Sequence, residues 1–188
     1  MKKSYLDPST SAENAGGVHL SKKKFKQIRD DFMKIPFLKR SAYNKQYERI
    51  NQYLTHGDTQ PAIVVSTNPL TISTYSDEMD AVLLLCFPNE LVKQYDLKKG
   101  TRLVTSNVYH TGNRIVRDII AGDGYLERYI NFTPMVQLFL SDAEEYIRER
   151  THLFEEERWQ RLQLLTEEKI TQYPKIKKRD GFYYLWDF

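Results

Sequence analysis

Three carboxylates crowd the segment Tyr75-Ser76-Asp77-Glu78-Met79-Asp80, at the mouth of an apolar run. Asn107, Tyr109, His110, Asn113 and Arg114 come at the end of the next long alternating stretch, and Arg117 and Asp118 follow. Asp77, Glu78, Asp80, His110 and Arg114 are residue types that do acid–base work or hold a charged ligand: carboxylates, an imidazole titrating near neutrality and a guanidinium. Antiparallel strands would bring the two groups to one edge. The plainer reading stands beside it, because Asp and Asn are ordinary turn formers and Arg–Asp contacts ordinary ion pairs. Among single residues, His110 is the first candidate for function.

A second patch is basic. Lys22, Lys23, Lys24, Lys26 and Arg29 interleave with Phe25, Phe32 and Phe37. Cations with aromatics suit phosphate contacts and base stacking, so nucleic acid is a possible partner. The 3–4 spacing of the aromatics equally suits a helix that buries them and solvates its lysines. The basic run Lys175, Lys177, Lys178, Arg179 could add to this patch.

The third feature is the aromatic end of the chain, Phe182, Tyr183, Tyr184, Leu185, Trp186 and Phe188. Such a cluster is costly to leave in water. It either packs on the body as a last strand or fills a partner's groove. The thin apolar stripe Leu153, Phe154, Leu162, Leu165 suits a helical partner or a second copy of the chain, or else a helix packed along the body.

Other chemistry is missing from the pattern. Gly16-Gly17 and Gly122-Asp123-Gly124 lack the spacing of a phosphate loop. There is no GxSxG, HExxH, CxxC or calcium loop. One cysteine, Cys86, sits among Leu83, Leu84, Leu85 and Phe87, which suits a buried inert thiol rather than a nucleophile. No metal and no cofactor is expected.

The elements that must position these residues follow from periodicity and turn chemistry. Residues 1–18 are small, polar and turn-rich, and read as a flexible tail. Ser21 caps an amphipathic helix over about 21–34, ended by Pro36. A second helix runs from about Ser41 through Tyr43, Tyr47, Ile50 and Leu54 to Gly57, completing a helical hairpin. Strands are expected over Pro61–Thr67, Thr71–Tyr75, Met79–Phe87, Thr101–Tyr109, Ile115–Ile120 and Tyr125–Phe132. Met79–Phe87 is apolar on both faces and reads as the central strand. A short helix, Glu90–Tyr95, intervenes. Thr133-Pro134 reads as an N-cap with proline at N1, opening a long helix over 134–172. Residues 174–188 form the aromatic tail. The expected fold is α+β: a helical hairpin, a curled and mostly antiparallel sheet of about five or six strands, and a long C-terminal helix, in a single domain over 19–173.

Composition bounds the function. With 188 residues, 40% hydrophobic and 13% aromatic, the chain can build a core. No apolar run is long enough to span a bilayer, and the start lacks a secretory pattern, so a cytoplasmic protein without membrane contact is expected. Net charge is +3, unevenly spread: residues 1–60 carry twelve Lys/Arg against six Asp/Glu, and residues 141–169 nine acids against five bases. Such asymmetry marks partner surfaces, or faces that neutralise each other within the fold. The expected function is a non-enzymatic interaction protein, a scaffold, adaptor or complex subunit with a protein partner or self-association. The alternatives are a nucleic-acid-binding accessory protein, using the basic helix, and a small enzyme, using the sheet-edge cluster.

Overall fold

The computed structural model describes residues 12–175 and 178–185, without the side chains of Ile120 and Leu185. The fold is α+β. Ser21 accepts a hydrogen bond from the Lys24 amide and opens α1 (Lys22–Gln27), which continues through a wider turn over Ile28–Phe32. A short turn, Phe37–Lys39, leads into α2 (Arg40–Asn44) and α3 (Tyr47–His56). The strands are β1 (Asp58–Thr67), β2 (Leu70–Ser76), β3 (Ala81–Phe87), β4 (Arg102–His110), β5 (Ile120–Ala121), β6 (Asn131–Val136) and β7 (Arg179–Asp180). Helix α4 (Glu90–Gln94) sits between β3 and β4, while α5 (Glu144–Glu149) and α6 (Glu156–Gln172) follow β6. No helix among the described residues is long and apolar enough to cross a membrane.

The strands form one sheet in the order β5-β3-β2-β1-β4-β6, with β7 parallel to β3 and the other pairings antiparallel. The sheet curls until its two ends are bridged. Arg179 on β7 holds Asp118 in a two-pronged ion pair at 2.6 and 2.9 Å, and donates to Asn131 Oδ1 on β6 at 3.2 Å. Tyr183 donates to the Phe132 carbonyl on β6 at 3.3 Å. Helix α6 lies over β1, β2 and β3 with Trp159, Leu162, Leu165 and Lys169 buried. The Lys169 ammonium donates to the carbonyls of Val82 and Asp118, and burial lowers its pKa to about 8.

Several expectations are corrected. Residues 12–18 are docked, not loose: Ala12 and Val18 are buried, and the amides of Gly16 and Gly17 donate to the carbonyls of Gly57 and Thr55. Residues 1–11 lie outside the described residues. The helix expected over 134–172 is divided. Thr133-Pro134 belongs to β6, where Pro134 is opposite Asn107. β6 is a terminal strand, and such a strand tolerates a residue without an N–H. A tight turn (Gln137–Phe139), α5, a second tight turn (Arg150–Leu153) and an extended Phe154–Glu155 then separate β6 from α6. β3 is not central, because β2 flanks its full length on one side while the other side holds only two-residue β5 and β7. Its two-faced burial comes from α6 on one face and the Phe87–Phe139–Phe182 cluster on the other. The strand expected over Ile115–Ile120 shrinks to β5, and that over Tyr125–Phe132 begins only at Asn131. Gly57 closes α3, though at an ordinary negative φ of −59°. What it supplies is room: a Cβ there would meet the Tyr53 carbonyl at 2.5 Å.

Candidate functional site

The turn after β2 carries the acidic cluster, and each acidic side chain is engaged. Asp80 has a left-handed φ of 41°, which turns its carboxylate inward. The carboxylate accepts from Arg161 at 3.0 and 2.5 Å, from Tyr75 Oη at 3.0 Å and from the Gly124 amide at 2.9 Å. The Arg161 hydrogen bonds, outweighing desolvation, hold the Asp80 carboxyl below the usual carboxylate range, and burial raises the Tyr75 phenol. Asp77 accepts from Gln60 Nε2 at 2.7 Å and from the Glu78 amide at 2.8 Å, and pairs with Arg158 at 3.3 Å. Arg128 stands 3.8 Å from Glu78. Arg158 and Arg161, one turn apart on α6, therefore pin that helix to the β2–β3 turn. A cleft of about 440 Å³ opens over them, with Asn14, Tyr75 and Phe154 among its walls.

His110 and Arg114 do not complete this cluster. They lie toward the same end of the sheet, but β1 runs between β4 and β2. His110 Nε2 lies 2.8 Å from Thr133 Oγ1 on β6, and Arg114 is exposed in the loop beyond β4. Between the two groups lies a set of side chains in which Asn107 and Tyr109 are joined by Asp58, Gln60 and Thr105, three residues that no motif marks. Asp58 and Gln60 on β1 and Thr105, Asn107 and Tyr109 on β4 share one face, given the pairing of Asp58 with Asn107. Gln60 Nε2 donates to Asp58 at 2.6 Å, Tyr109 Oη donates to Asp58 at 3.3 Å, and Asn107 Nδ2 donates to the Tyr75 carbonyl at 2.8 Å. Burial first, then the nearby Asp77 charge, push the Asp58 carboxyl up to about 7. Asp58 is only 5% exposed, which shields it from an external substrate. The saturated carboxylates of Asp77 and Asp80 serve as struts. Among the described residues no three His, Cys, Asp or Glu side chains converge as metal ligands.

The basic helix divides in two. Lys24 is buried, and its ammonium donates to the carbonyls of Leu138 and Ser141 and to Glu144 at 3.1, 2.6 and 2.8 Å. Arg29 is tied to Asp30 and Asn44. Lys22, Lys23 and Lys26 face solvent. Phe25 is buried against Tyr43 and Tyr47, and Phe32 stacks on Phe182. Phe37, by contrast, is 81% exposed, and its neighbour Leu38 92%. Lys34 at a left-handed φ of 49° turns the chain, Ile35 buries beneath, and Pro36 fixes the entry to the turn that presents the pair. Arg40 lies over the Phe37 ring at 5.9 Å and pairs with Asp30 at 3.2 Å. Lys34, Lys39 and Lys45 are exposed around them.

The aromatic tail is taken up by the body as far as it is described. Phe182 packs on Phe87 and Phe32, and Tyr184 is buried, its carbonyl accepting from Arg49. Tyr183 is half-buried beside Arg179. The side chain of Leu185, together with Trp186 and Phe188, lies outside the described residues. Sequence signals for these groups are faint: Arg158 falls between the stripe residues Phe154 and Leu162, and Asp58 directly follows the helix-closing Gly57. No family model matches the chain, and no curated protein and no solved structure is found to be similar to it.

Proposed function

We propose that this chain is a non-enzymatic interaction protein that docks a protein partner through the tip of its N-terminal helical unit. The observation that carries this reading is the adjacent, nearly fully exposed pair Phe37 and Leu38 on a fixed turn. Burying two such side chains yields about 2 kcal/mol each, and an apolar centre inside a polar rim is the usual anatomy of a contact hot spot. The rim here is basic: residues 21–50 hold ten Lys/Arg against three Asp/Glu. The fitting partner is a protein surface with an apolar pocket edged by carboxylates.

The test is site-specific photo-crosslinking in cells that express the chain, with the reactive group at position 37 and, as a control, at exposed Glu168 on α6. The expected result is one saturable protein adduct from position 37, mapping to an acid-rich segment of the partner and lost in Lys34→Glu/Lys39→Glu. An adduct of twice the chain mass would make the partner a second copy. Identical adduct patterns from both positions would overturn the reading.

A second reading, a nucleic-acid-binding accessory protein, is favoured by the exposure of Lys22, Lys23 and Lys26 on α1 and of the Phe37 ring on the turn that follows it. It expects binding to a single-stranded oligonucleotide that weakens steeply with salt and is abolished by charge reversal at those three lysines. Salt-independent binding contradicts it.

A further inference from the structure

Asp58 and Gln60 lie at the start of β1, 5% and 1% exposed. Gln60 Nε2 donates to two carboxyl groups at once, Asp58 Oδ2 at 2.6 Å and Asp77 Oδ1 at 2.7 Å. Asp58 Oδ1 and Gln60 Oε1 are buried with no hydrogen-bond partner. The elements around Asp58 bring titratable or charged groups, of which Glu13 on the docked early segment is exposed. Tyr109 comes from β4 and contacts Oδ2, while Asp77 and Glu78 come from the β2–β3 turn. Arg158 on α6 is spent on the far oxygen of Asp77, and Arg128 stands at Glu78. Arg150, across the strand, is spent on Thr59 Oγ1, the Ala15 carbonyl and Tyr146. Among the described residues no Lys or Arg pairs with Asp58 itself. Two carboxyl groups that share one amide in a dry setting hold one negative charge at lower cost than two.

The same residue is where the chain's early segment docks. Ala15 bridges to Asp58, the Thr59 amide donates to the Asn14 carbonyl at 2.8 Å, and the Gly16 amide donates to the Gly57 carbonyl at 2.8 Å. We propose that Asp58 is a proton-operated lock: uncharged it holds residues 12–17 against β1, and ionised it loosens that seam. The displaced position of its titration, driven by burial and by Asp77, puts this change near neutrality. The lock is independent of docking through the hairpin tip.

Amide hydrogen exchange at Gly16, Gly17 and Thr59, corrected for intrinsic rates, tests the lock at about pH 6 and about pH 8.5, either side of the titration. Protection is expected to fall at least about tenfold at the higher pH in the native chain and to stay constant in Asp58→Asn. Carboxyl carbon NMR of the native chain supplies a second readout that needs no variant at Asp58. Asp58 should titrate near neutrality, and Asp77→Asn should lower its midpoint. Titration in the ordinary range near about 4, unchanged protection across the titration, or the same pH dependence in Asp58→Asn would each overturn the proposal. If Asp58→Asn does not fold, the native chain's titration and exchange decide between these outcomes.

Discussion

The polar end of the sheet and the tip of the helical hairpin are both rich in charge, and they use it in opposite ways. Around Asp77–Asp80 each carboxylate meets a cation or an N–H of the chain itself, and Arg158 and Arg161 exist to meet them. Around Phe37 and Leu38 the cations Lys34, Lys39 and Lys45 point to solvent, Arg40 alone is paired, and the two apolar side chains are almost fully exposed. A cluster that resembles chemistry in the sequence is a scaffold joint, while an unremarkable Phe-Leu pair is left unfinished by the fold. Unsatisfied surface, more than residue type, separates contact sites from struts here.

The contrast can be broken or sharpened by substitution, in falling order of expected effect. At about pH 8.5, Asp58→Asn should raise stability, by no more than about 4 kcal/mol for a displacement from 3.8 to about 7. The sign follows from linkage. The folded carboxyl binds its proton more tightly than the unfolded one, so stability falls as pH rises from about 4 to about 7 and is then level. Denaturant titrations across that window should show the gain growing with pH, and a constant gain would contradict it. Asp80→Ala should cost about 3 kcal/mol, because it strands Arg161, Tyr75 and the Gly124 amide together; Arg161 is a third exposed, which tempers the figure. The Asp80 carboxyl is displaced downward, so its contribution is present above the ordinary carboxylate range and is lost as pH falls through its lowered pKa. Arg179→Ala should cost about 2 kcal/mol by releasing Asp118 and the bridge from β7 to β6, read as a lowered denaturation midpoint with faster amide exchange in β6. Phe37→Ser/Leu38→Ser should leave stability within about 0.5 kcal/mol, since both side chains are almost fully exposed and only the Arg40 contact with the Phe37 ring is lost.

Much of the scaffold was legible from local pattern. Ser21 reads as a cap and its side chain accepts from the Lys24 amide, and the four stretches Pro61–Thr67, Thr71–Tyr75, Met79–Phe87 and Thr101–Tyr109 each overlap one of β1 to β4. The segment from Thr133 to Leu140 misleads because proline with a wide apolar arc suits a first helical turn and a terminal strand alike. Pairing with β4, remote in sequence, decides it. Asp58 was hidden for the same reason: its burial and its displaced titration depend on Gln60, Asp77 and residues 12–17 meeting in space. Phe37 could be marked as an aromatic among lysines, but that Leu38 beside it is bare depends on what the hairpin covers, namely Ile35 and Tyr43.

The most direct test pairs Asp80→Ala with Phe37→Ser/Leu38→Ser, measuring denaturant stability for both and, with the crosslinker now at exposed Lys39, adduct yield in cells. The strut-and-tip contrast predicts that the Asp80 variant loses stability and keeps the adduct, while the tip variant keeps stability and loses it. A tip variant that is destabilised while its adduct persists would contradict the assignment of the hairpin tip as the contact surface.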